Sequence, residues 1–521
     1  MSRFARVLVA NRGEIGIRVI RALNTLGIES VGIFSDADSS STHVSMADRA
    51  YRLPGVYPTE TYLNAKQILE VARRSDCDAI HPGYGFLSER GEFSKMCRDH
   101  SIKFIGPSPE TLVLSGNKLE CKKLVESRGV PVIPYSKEAL NSVEEAIEFA
   151  SNLGYPVLLK SAFGGGGRGI KEARSSSEVK EAFESSQREA MASFGRFAVF
   201  IEKKLVNPRH VEVQVLASDD ASEMVHLGER ECSIQRRYQK LVELSPSPVI
   251  DETTRDLITD YALRAARAVG YSNAGTVEFL RDAETGNLYF IEINSRLQVE
   301  HPVTEMVTGI DLVVSQIEIA SSRKLPFRQK EIEFSGCAIE CRINAEDPLT
   351  GFAPATGTVE YLLLPAGPGV RVDTALREET KVTPFYDSLI AKLICWGEDF
   401  NQARRRALAA LDEFTIAGLE TTIPFHRTVL ADDSFATGEL STGFIDQRDI
   451  IRRLSERRQS EQTTRDNYAI AALLFSMKAT ERGRGTNLQQ ASHDVARSKI
   501  RVLTRQQGGG HQFGGRFADA V

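Results

Sequence analysis

The run Phe290 to His301, FIEINSRLQVEH, carries polar side chains at every second position from Glu292 onward: Glu292, Asn294, Arg296, Gln298 and Glu300. Ile291, Ile293, Leu297 and Val299 occupy the other parity, which only Ser295 breaks. Alternate side chains of an extended strand face opposite sides. The spacing therefore predicts one apolar face for a core and one face bearing carboxylates, amides and a guanidinium, with Arg296 and Glu300 together. Just upstream, GTVEFLRDAETGNLYFIE reads as two β-rich runs joined at residues 283–287, with Gly286 where positive φ is cheap. Folding this hairpin about Thr285 brings Glu278 opposite Glu292. Like charges directly across an antiparallel pair are destabilising, so a cation is expected between them. Hard oxygen ligands suit Mg²⁺, which usually also takes phosphate oxygens from a nucleotide, and Asn294 adds a third oxygen from the same face. A glutamate pair bridged by a lysine, or simply solvated, would satisfy the same spacing.

At 521 residues the chain is too long for one core, and about three domains are expected. A hydrophobic content of 41% and a charged content of 26% are those of an ordinary soluble globular protein. No apolar run approaches membrane-spanning length, and MSRFARVLVANRG enters a strand too soon for a signal peptide. Seven scattered cysteines form no CxxC or His/Cys cluster, which predicts a reduced, cytoplasmic protein without structural zinc. The net charge of −5 excludes a general polyanion binder. From Arg448 onward, however, 14 Lys and Arg face 7 Asp and Glu. This basic, partly disordered tail, 447–521, reads as a solvated arm or a docking segment for an acidic partner rather than as a nucleic-acid site.

Strand and helix alternate at the start: ARVLVA, a helix over about Gly13 to Leu26, then SVGIFS ending at Asp36. The GxGxxG fingerprint is absent, so this is a Rossmann-like scaffold without NAD, and a dehydrogenase is excluded on the same ground. From Gly116 a second unit begins. Its strand PVLLKSA delivers Lys160 into Phe163-Gly164-Gly165-Gly166-Gly167-Arg168-Gly169, a loop suited to cover phosphates but lacking the Walker A ending. HVEVQVLA (210–217) alternates cleanly, and ERECSIQRRYQKLVE (229–243) concentrates Arg230, Arg236, Arg237 and Lys240, either as a solvated face or as the lining of an anionic substrate cleft. A third unit starts near Phe334 with CAIECRINAEDP, includes a helix over Asn401 to Phe414 and ends near Asp446. No internal repeat is present.

Eight stretches together resemble the biotin carboxylase family of the ATP-grasp superfamily: ANRGEIGIR (10–18), AIHPGYGFLSE (79–89), FIGPS (104–108), GGGGRG (164–169), NPRHVEVQVL (207–216), CSIQRR (232–237), FIEINSRLQVEHPVTEMVTG (290–309) and ECRINAEDP (340–348). The resemblance runs from about Phe4 to Asp446. It implies a Rossmann-like, pre-ATP-grasp α/β domain over 1–115, an ATP-grasp domain with a mobile glycine-rich lid over 116–325, and a mixed α+β C-terminal domain over 334–446. It also implies roles. Lys118, Lys160 and the Gly166-Gly167 backbone resemble ATP phosphate ligands. Glu202, Lys203, Lys204 and Leu205 resemble an adenine hinge, and His210 and Gln235 resemble nucleotide contacts. Glu278, Glu292 and Asn294 match ligands of Mg²⁺ or Mn²⁺, agreeing with the hairpin argument. Lys240, Arg296, Gln298 and the Val299 backbone match a bicarbonate site. Glu300 matches a general base, Arg342 the group facing the biotin ureido oxygen, and Tyr84 a neighbour of the biotin pocket.

The activity so implied is ATP-dependent carboxylation of biotin by bicarbonate through carboxyphosphate. Three positions depart from the family pattern: Phe163 in the glycine run, Tyr238 in place of a histidine near the ribose, and Ser295 in place of a threonine. A biotin acceptor needs a lysine between methionines in a tight hairpin. The nearest approach, Ser476-Met477-Lys478-Ala479, sits in a run of helical period. Biotin is therefore expected on a separate carrier protein, with carboxyltransferase subunits completing an acetyl-CoA, propionyl-CoA or pyruvate carboxylase, and with this chain as a homodimer. The rival readings are another bicarbonate-activating ATP-grasp ligase and a non-catalytic ATP-binding scaffold.

Overall fold

A computed structural model of the chain describes residues 4–162, 170–194, 199–463 and residue 470. The first segment builds a five-stranded parallel sheet from β1 (Arg6–Val9), β2 (Glu29–Ser35), β3 (Arg49–Leu53), β4 (Ala79–His81) and β5 (Lys103–Phe104), in the order β3-β2-β1-β4-β5. Helix α1 (Gly13–Leu26) follows β1, buries Ile15, Val19, Ile20 and Leu23, and stops at Gly27, whose φ of 67° is the left-handed conformation of a helix C-terminus. The expected Rossmann-like opening is present, with α1 at its expected bounds.

Helix α2 (Lys118–Ser127) opens the second segment, capped by the Asn117 side chain, which accepts from Glu120 N–H. A small antiparallel sheet follows, in the order β7-β6-β8, from β6 (Val157–Ser161), β7 (Lys171–Ala173) and β8 (Val199–Lys203). Lys160 lies near the end of β6. Phe163 and the glycine run with Gly166 and Gly167 lie outside the described residues.

The largest layer is an eight-stranded antiparallel sheet formed by β9 (Arg209–Ala217), β10 (Met224–Arg236), β11 (Gln239–Ser245), β12 (Asn273–Arg281), β13 (Leu288–Asn294), β14 (Cys337–Asn344), β15 (Val370–Thr374) and β16 (Leu389–Gly397). Its order is β13-β12-β9-β10-β11-β14-β16-β15. β11 pairs with β14 from Val242 opposite Cys341 to Ser245 opposite Ala338. The strands after Phe334 thus extend the sheet of the second segment. β14 is buried along almost its whole length, a pattern that suits a central strand rather than an edge.

The expected strand from Phe290 to His301 stops at Asn294. Ser295 N–H donates to Glu89 Oε1 (3.2 Å), outside any ladder. Helix α3 (His301–Thr308) then begins, with Pro302 in its first turn. Residues 295–300 are therefore a loop that turns at Val299 and Glu300, and the period-two alternation does not hold there: Gln298 and Glu300 are buried while Val299 is partly exposed. Arg296 and Glu300 do not lie on one strand face.

In the basic run 229–243, Arg230 and Lys240 are turned inward, while Arg237 at its turn is exposed. The run forms the β10–β11 hairpin, which turns at Arg237 and Tyr238, both with positive φ. Arg230 is fully buried, bonded to Glu212, Gln214, Thr276 and Thr304. Helix α4 (Phe400–Glu413) packs Ala403, Ala407, Ala410 and Leu411 into the C-terminal core. The first part of the basic tail, residues 450–463, is helical, with Ile450 and Leu454 buried in that same core. Lys478 lies outside the described residues. Among the described residues no helix is long and apolar enough to cross a membrane.

Candidate active site

β12 and β13 pair with Glu278 opposite Glu292 and Thr276 opposite Asn294. Near the turn the register is Phe279 opposite Phe290, so a bulge at Ile291 intervenes. Without that extra residue Glu278 would face Ile291, and Glu292 would point to the other side of the sheet. The bulge is what brings the two carboxylates onto one face, with Asn294 two residues on. Each carboxylate has its own cation. Lys118 Nζ lies 2.7 Å from Glu292 Oε2, and Lys240 Nζ lies 2.7 Å from Glu278 Oε1. Two carboxylates and an amide oxygen on one sheet face form a hard-oxygen donor set that fits Mg²⁺ or Mn²⁺.

Lys240 is the centre of the site. Its ammonium bonds Glu212, Glu278 (2.7 Å) and Glu300 (2.7 Å). Burial alone would push its pKa down, but the three carboxylates hold it well above the usual lysine value. Two close clusters of potential ligands, His210 with Glu212 and Glu278, and Glu212 with Cys232 and Glu300, both surround this ammonium. The positive charge they call for is already supplied there.

Glu300 lies between Lys240 and Arg342, whose Nη2 donates to Glu300 Oε2 at 2.8 Å. Burial raises the Glu300 pKa, but Lys240, Arg342 and Arg230 outweigh it and hold the carboxyl well below the usual range. The other edge of Arg342 donates from Nε to Glu243 Oε1 at 2.5 Å. Its backbone carbonyl accepts from Thr422 Oγ1 (3.0 Å) and contacts His426 Nε2 (2.6 Å), which fixes the strand beneath it. Arg296 reaches Glu89 (3.1 Å), Gln298 Oε1 (2.8 Å) and Asn294 Oδ1 (3.3 Å). Gln298 donates onward to Glu278 Oε1 (3.4 Å). The Val299 carbonyl accepts from Lys392 Nζ at 3.0 Å.

Among the residues expected to contact a nucleotide, the Gln235 amide donates to His210 Nδ1 at 2.5 Å, while His210 Nε2 lies 3.2 Å from Glu278 Oε2. Lys160 bonds the fully buried Glu202, which Lys122 also bonds through its other oxygen. The Glu202 side chain is therefore turned into the protein, leaving only its backbone for a hinge. Lys203 Nζ donates to the Gly154 and Tyr155 carbonyls (2.9 Å each), and Lys204 Nζ to Glu172 (2.5 Å). Leu205 follows, half-buried, just beyond β8. The Tyr84 hydroxyl bonds Glu14. The Asn11 amide donates to the Pro82 (2.7 Å) and Tyr84 (2.8 Å) carbonyls. Gly83, at φ 62°, lets that amide approach, since a Cβ there would meet Asn11 Nδ2 at 2.9 Å.

Comparison with known proteins agrees with this geometry. The family model for the biotin carboxylase N-terminal domain matches residues 3–112, that for the carbamoyl-phosphate synthase L chain ATP-binding domain 117–328, and that for the biotin carboxylase C-terminal domain 340–447. Biotin carboxylase 1 of Bacillus subtilis is 47% identical over 446 residues, covering 86% of this chain and 99% of that one. The chain belongs to the biotin carboxylase family. Among solved structures, the biotin carboxylase domain dimer of Hydrogenobacter thermophilus 2-oxoglutarate carboxylase, in complex with MgADP, ADP and bicarbonate, superposes with a TM-score of 0.84 at 47% identity. That match covers 87% of this chain and 99% of that one. A Campylobacter jejuni biotin carboxylase–ATP complex gives 0.83 at 42%, covering 85% and 99%. As a biotin carboxylase, the protein is an ATP-dependent ligase with an ATP-grasp core.

Glu212, Glu243 and Glu340 of this biotin carboxylase site were not singled out in the sequence. Glu212 bridges Lys240 and Arg230 and pairs directly with Glu278 across β9 and β12. The signal was available: in HVEVQVLA, His210, Glu212 and Gln214 share the parity opposite the valines. Arg230 was named only within a basic run, as part of a solvated face or of an anionic cleft lining, and is instead a fully buried partner of Glu212. Glu243 and Glu340 face each other across β11 and β14, a relation that no local pattern announces.

Glu340 is fully buried, and neither of its oxygens has a hydrogen-bond partner among the described residues. Burial lifts its pKa well above the usual range; Lys392 and Arg342 pull it down, and Glu243 pushes it up further. Lys392 is bonded to Glu14 and Val299 instead. The folded protein thus holds a proton that the unfolded chain releases above the ordinary carboxylate range. The associated stability is complete below that range and is lost as pH rises toward the raised value. Glu340→Gln is expected to unfold near the wild-type temperature at about pH 4 and increasingly above it as pH rises toward 9. Parallel pH dependences of melting in the two proteins would contradict this.

Proposed function

We propose that this biotin carboxylase uses ATP to carboxylate N1′ of biotin, presented on a separate carrier protein, with bicarbonate and through carboxyphosphate. The observation that carries the reading is the convergence of Lys240, Glu300 and Arg342, with Arg296 and Gln298 beside them. Bicarbonate is a poor nucleophile until it loses its proton. Arg296, Lys240, Gln298 and the Val299 backbone bind the anion, and Glu300 takes the proton. Held between two cations, Glu300 is a weak base. An anion arriving at Lys240 and Arg296 offsets part of their charge and raises its proton affinity, so its basicity is gained as the substrate binds.

The deprotonated oxygen attacks the γ-phosphate, which Lys118, Lys160 and the Gly166-Gly167 backbone hold and screen. Mg²⁺ or Mn²⁺ on Glu278, Glu292 and Asn294 would neutralise phosphate oxygens during that transfer. The backbone of Glu202, Lys203, Lys204 and Leu205 borders adenine, and His210 and Gln235 contact the nucleotide. That attack expels ADP; carboxyphosphate then splits into CO₂ and phosphate, phosphate takes the N1′ proton, and N1′ attacks the carbon of CO₂ to form carboxybiotin. Arg342, charged at every working pH, stabilises the ureido enolate next to Tyr84.

The carrier and a carboxyltransferase are partner proteins in this reading, the chain works as a homodimer in the cytoplasm, and the carboxyltransferase selects an acyl-CoA or a 2-oxo acid such as pyruvate as final acceptor. Label from bicarbonate should appear in free biotin only when ATP is present, and ATP-independent labelling would refute the reading. The central ATP-binding match also suits other bicarbonate-activating ligases. The biotin carboxylase matches on both sides of it favour biotin as the acceptor.

A further inference from the structure

Two ammonium groups, Lys122 and Lys160, share the single carboxylate of Glu202, one on each oxygen. The group carries one surplus positive charge in an almost waterless place. The side chain of Glu202 is 0% exposed and that of Lys122 only 2%, against 11% for Lys160. Lys122 projects from α2 one turn after Lys118 and lies against aromatic faces, 5.1 Å from the Tyr135 ring centroid and 5.9 Å from that of Phe200. It is walled in. Lys160, near the end of β6 at the edge of the glycine run, is the member of the pair with access to a ligand.

We propose that Lys122 is the resident counter-ion of Glu202, whose presence frees Lys160 to leave that carboxylate for a nucleotide phosphate. This rests on the reading of Lys160 as a phosphate ligand. If Lys160 were the sole partner of Glu202, moving it would strand a fully buried carboxylate, a severe penalty. With Lys122 in place, Glu202 keeps a 1:1 ion pair when Lys160 departs, and the repulsion between the two ammoniums is relieved. Burial and that neighbouring charge already hold the Lys122 pKa below the usual lysine value, against the pull of Glu202. Lys122 is thus a positioning residue: it touches no substrate and sets how much of the Lys160 charge is available to ATP.

The test is a double-substitution cycle read by MgATP binding and by KM and kcat. Lys122→Met leaves Glu202 paired with Lys160, so the fold is kept. ATP affinity is expected to fall about tenfold or more, corresponding to about 1.4 kcal/mol, mostly in KM. Adding Glu202→Gln should restore it, because Lys160 then has no carboxylate to hold it. A purely packing role for Lys122 predicts no such rescue. Wild-type affinity in Lys122→Met, or a loss that Glu202→Gln does not reverse, would overturn the proposal. Should Lys122→Met not fold, Lys122→Gln, which can still donate to Glu202 without the charge, carries the same cycle with the same outcomes. Lys160→Met separates the two levels. If it binds ATP normally, the phosphate-ligand reading itself fails. If it loses affinity while Lys122→Met does not, only the counter-ion proposal fails.

Discussion

Replacing Arg342 by serine is expected to cut biotin-dependent turnover by about 10²- to 10³-fold, the usual cost of removing one donor aimed at developing negative charge. MgATP binding should change little. The separation follows from position: Arg342 contacts Glu243 and Glu300, whereas the nucleotide-side lysines bond Glu292 and Glu202. The fold should tolerate the loss. Burial already lifts the Glu243 pKa to about 7, with Arg342 opposing and Glu300 adding to the shift. Without Arg342 it takes up a proton rather than remaining a bare buried charge. Glu300 retains Lys240. Isothermal calorimetry with MgATP alongside steady-state turnover reads both halves, and weakened nucleotide binding would show that Arg342 serves a different substrate.

Glu292→Gln has the second large effect. It removes one of the two facing carboxylates while keeping the shape of the side chain. Turnover is expected to fall by about 10²-fold or more, and the Mg²⁺ concentration for half-maximal rate to rise. Lys118 loses its partner at 2.7 Å and, in its proposed role as a phosphate ligand, gains charge for ATP, so affinity at saturating Mg²⁺ should survive better than the rate. Titrating Mg²⁺ at fixed ATP distinguishes the cases. An unchanged rate at limiting Mg²⁺ would mean that the facing glutamates hold no metal.

The facing of Glu278 and Glu292 was legible because hairpin pairing is a local relation and like charges across it demand an explanation. The bulge at Ile291, on which that facing depends, was not. A symmetric fold about Thr285 and a tighter register corrected by one extra residue reach the same pair, and only the backbone distinguishes them. Alternation past Asn294 misled because the chain leaves the ladder there and turns at Val299 and Glu300, so polar Gln298 and Glu300 are buried while Val299 is partly exposed. Glu202 looked like a plain hinge residue until Lys122, 80 positions earlier, was seen on its other oxygen. Glu243 and Glu340 became neighbours only when β14 joined the ATP-grasp sheet, an association between segments that neither segment encodes alone. Chemistry carried by one element or one hairpin was readable from spacing, whereas the convergence of Lys240, Glu300 and Arg342 from distant segments was readable only through the family resemblance.

Phosphate release from MgATP in the presence of bicarbonate, with and without free biotin at high concentration, tests the central claim most directly. The account predicts release that biotin stimulates and that disappears when bicarbonate is withdrawn. Bicarbonate-dependent release indifferent both to biotin and to a biotinylated carrier would contradict it, and would place the chemistry of Lys240, Glu300 and Arg342 with a different carboxyl acceptor.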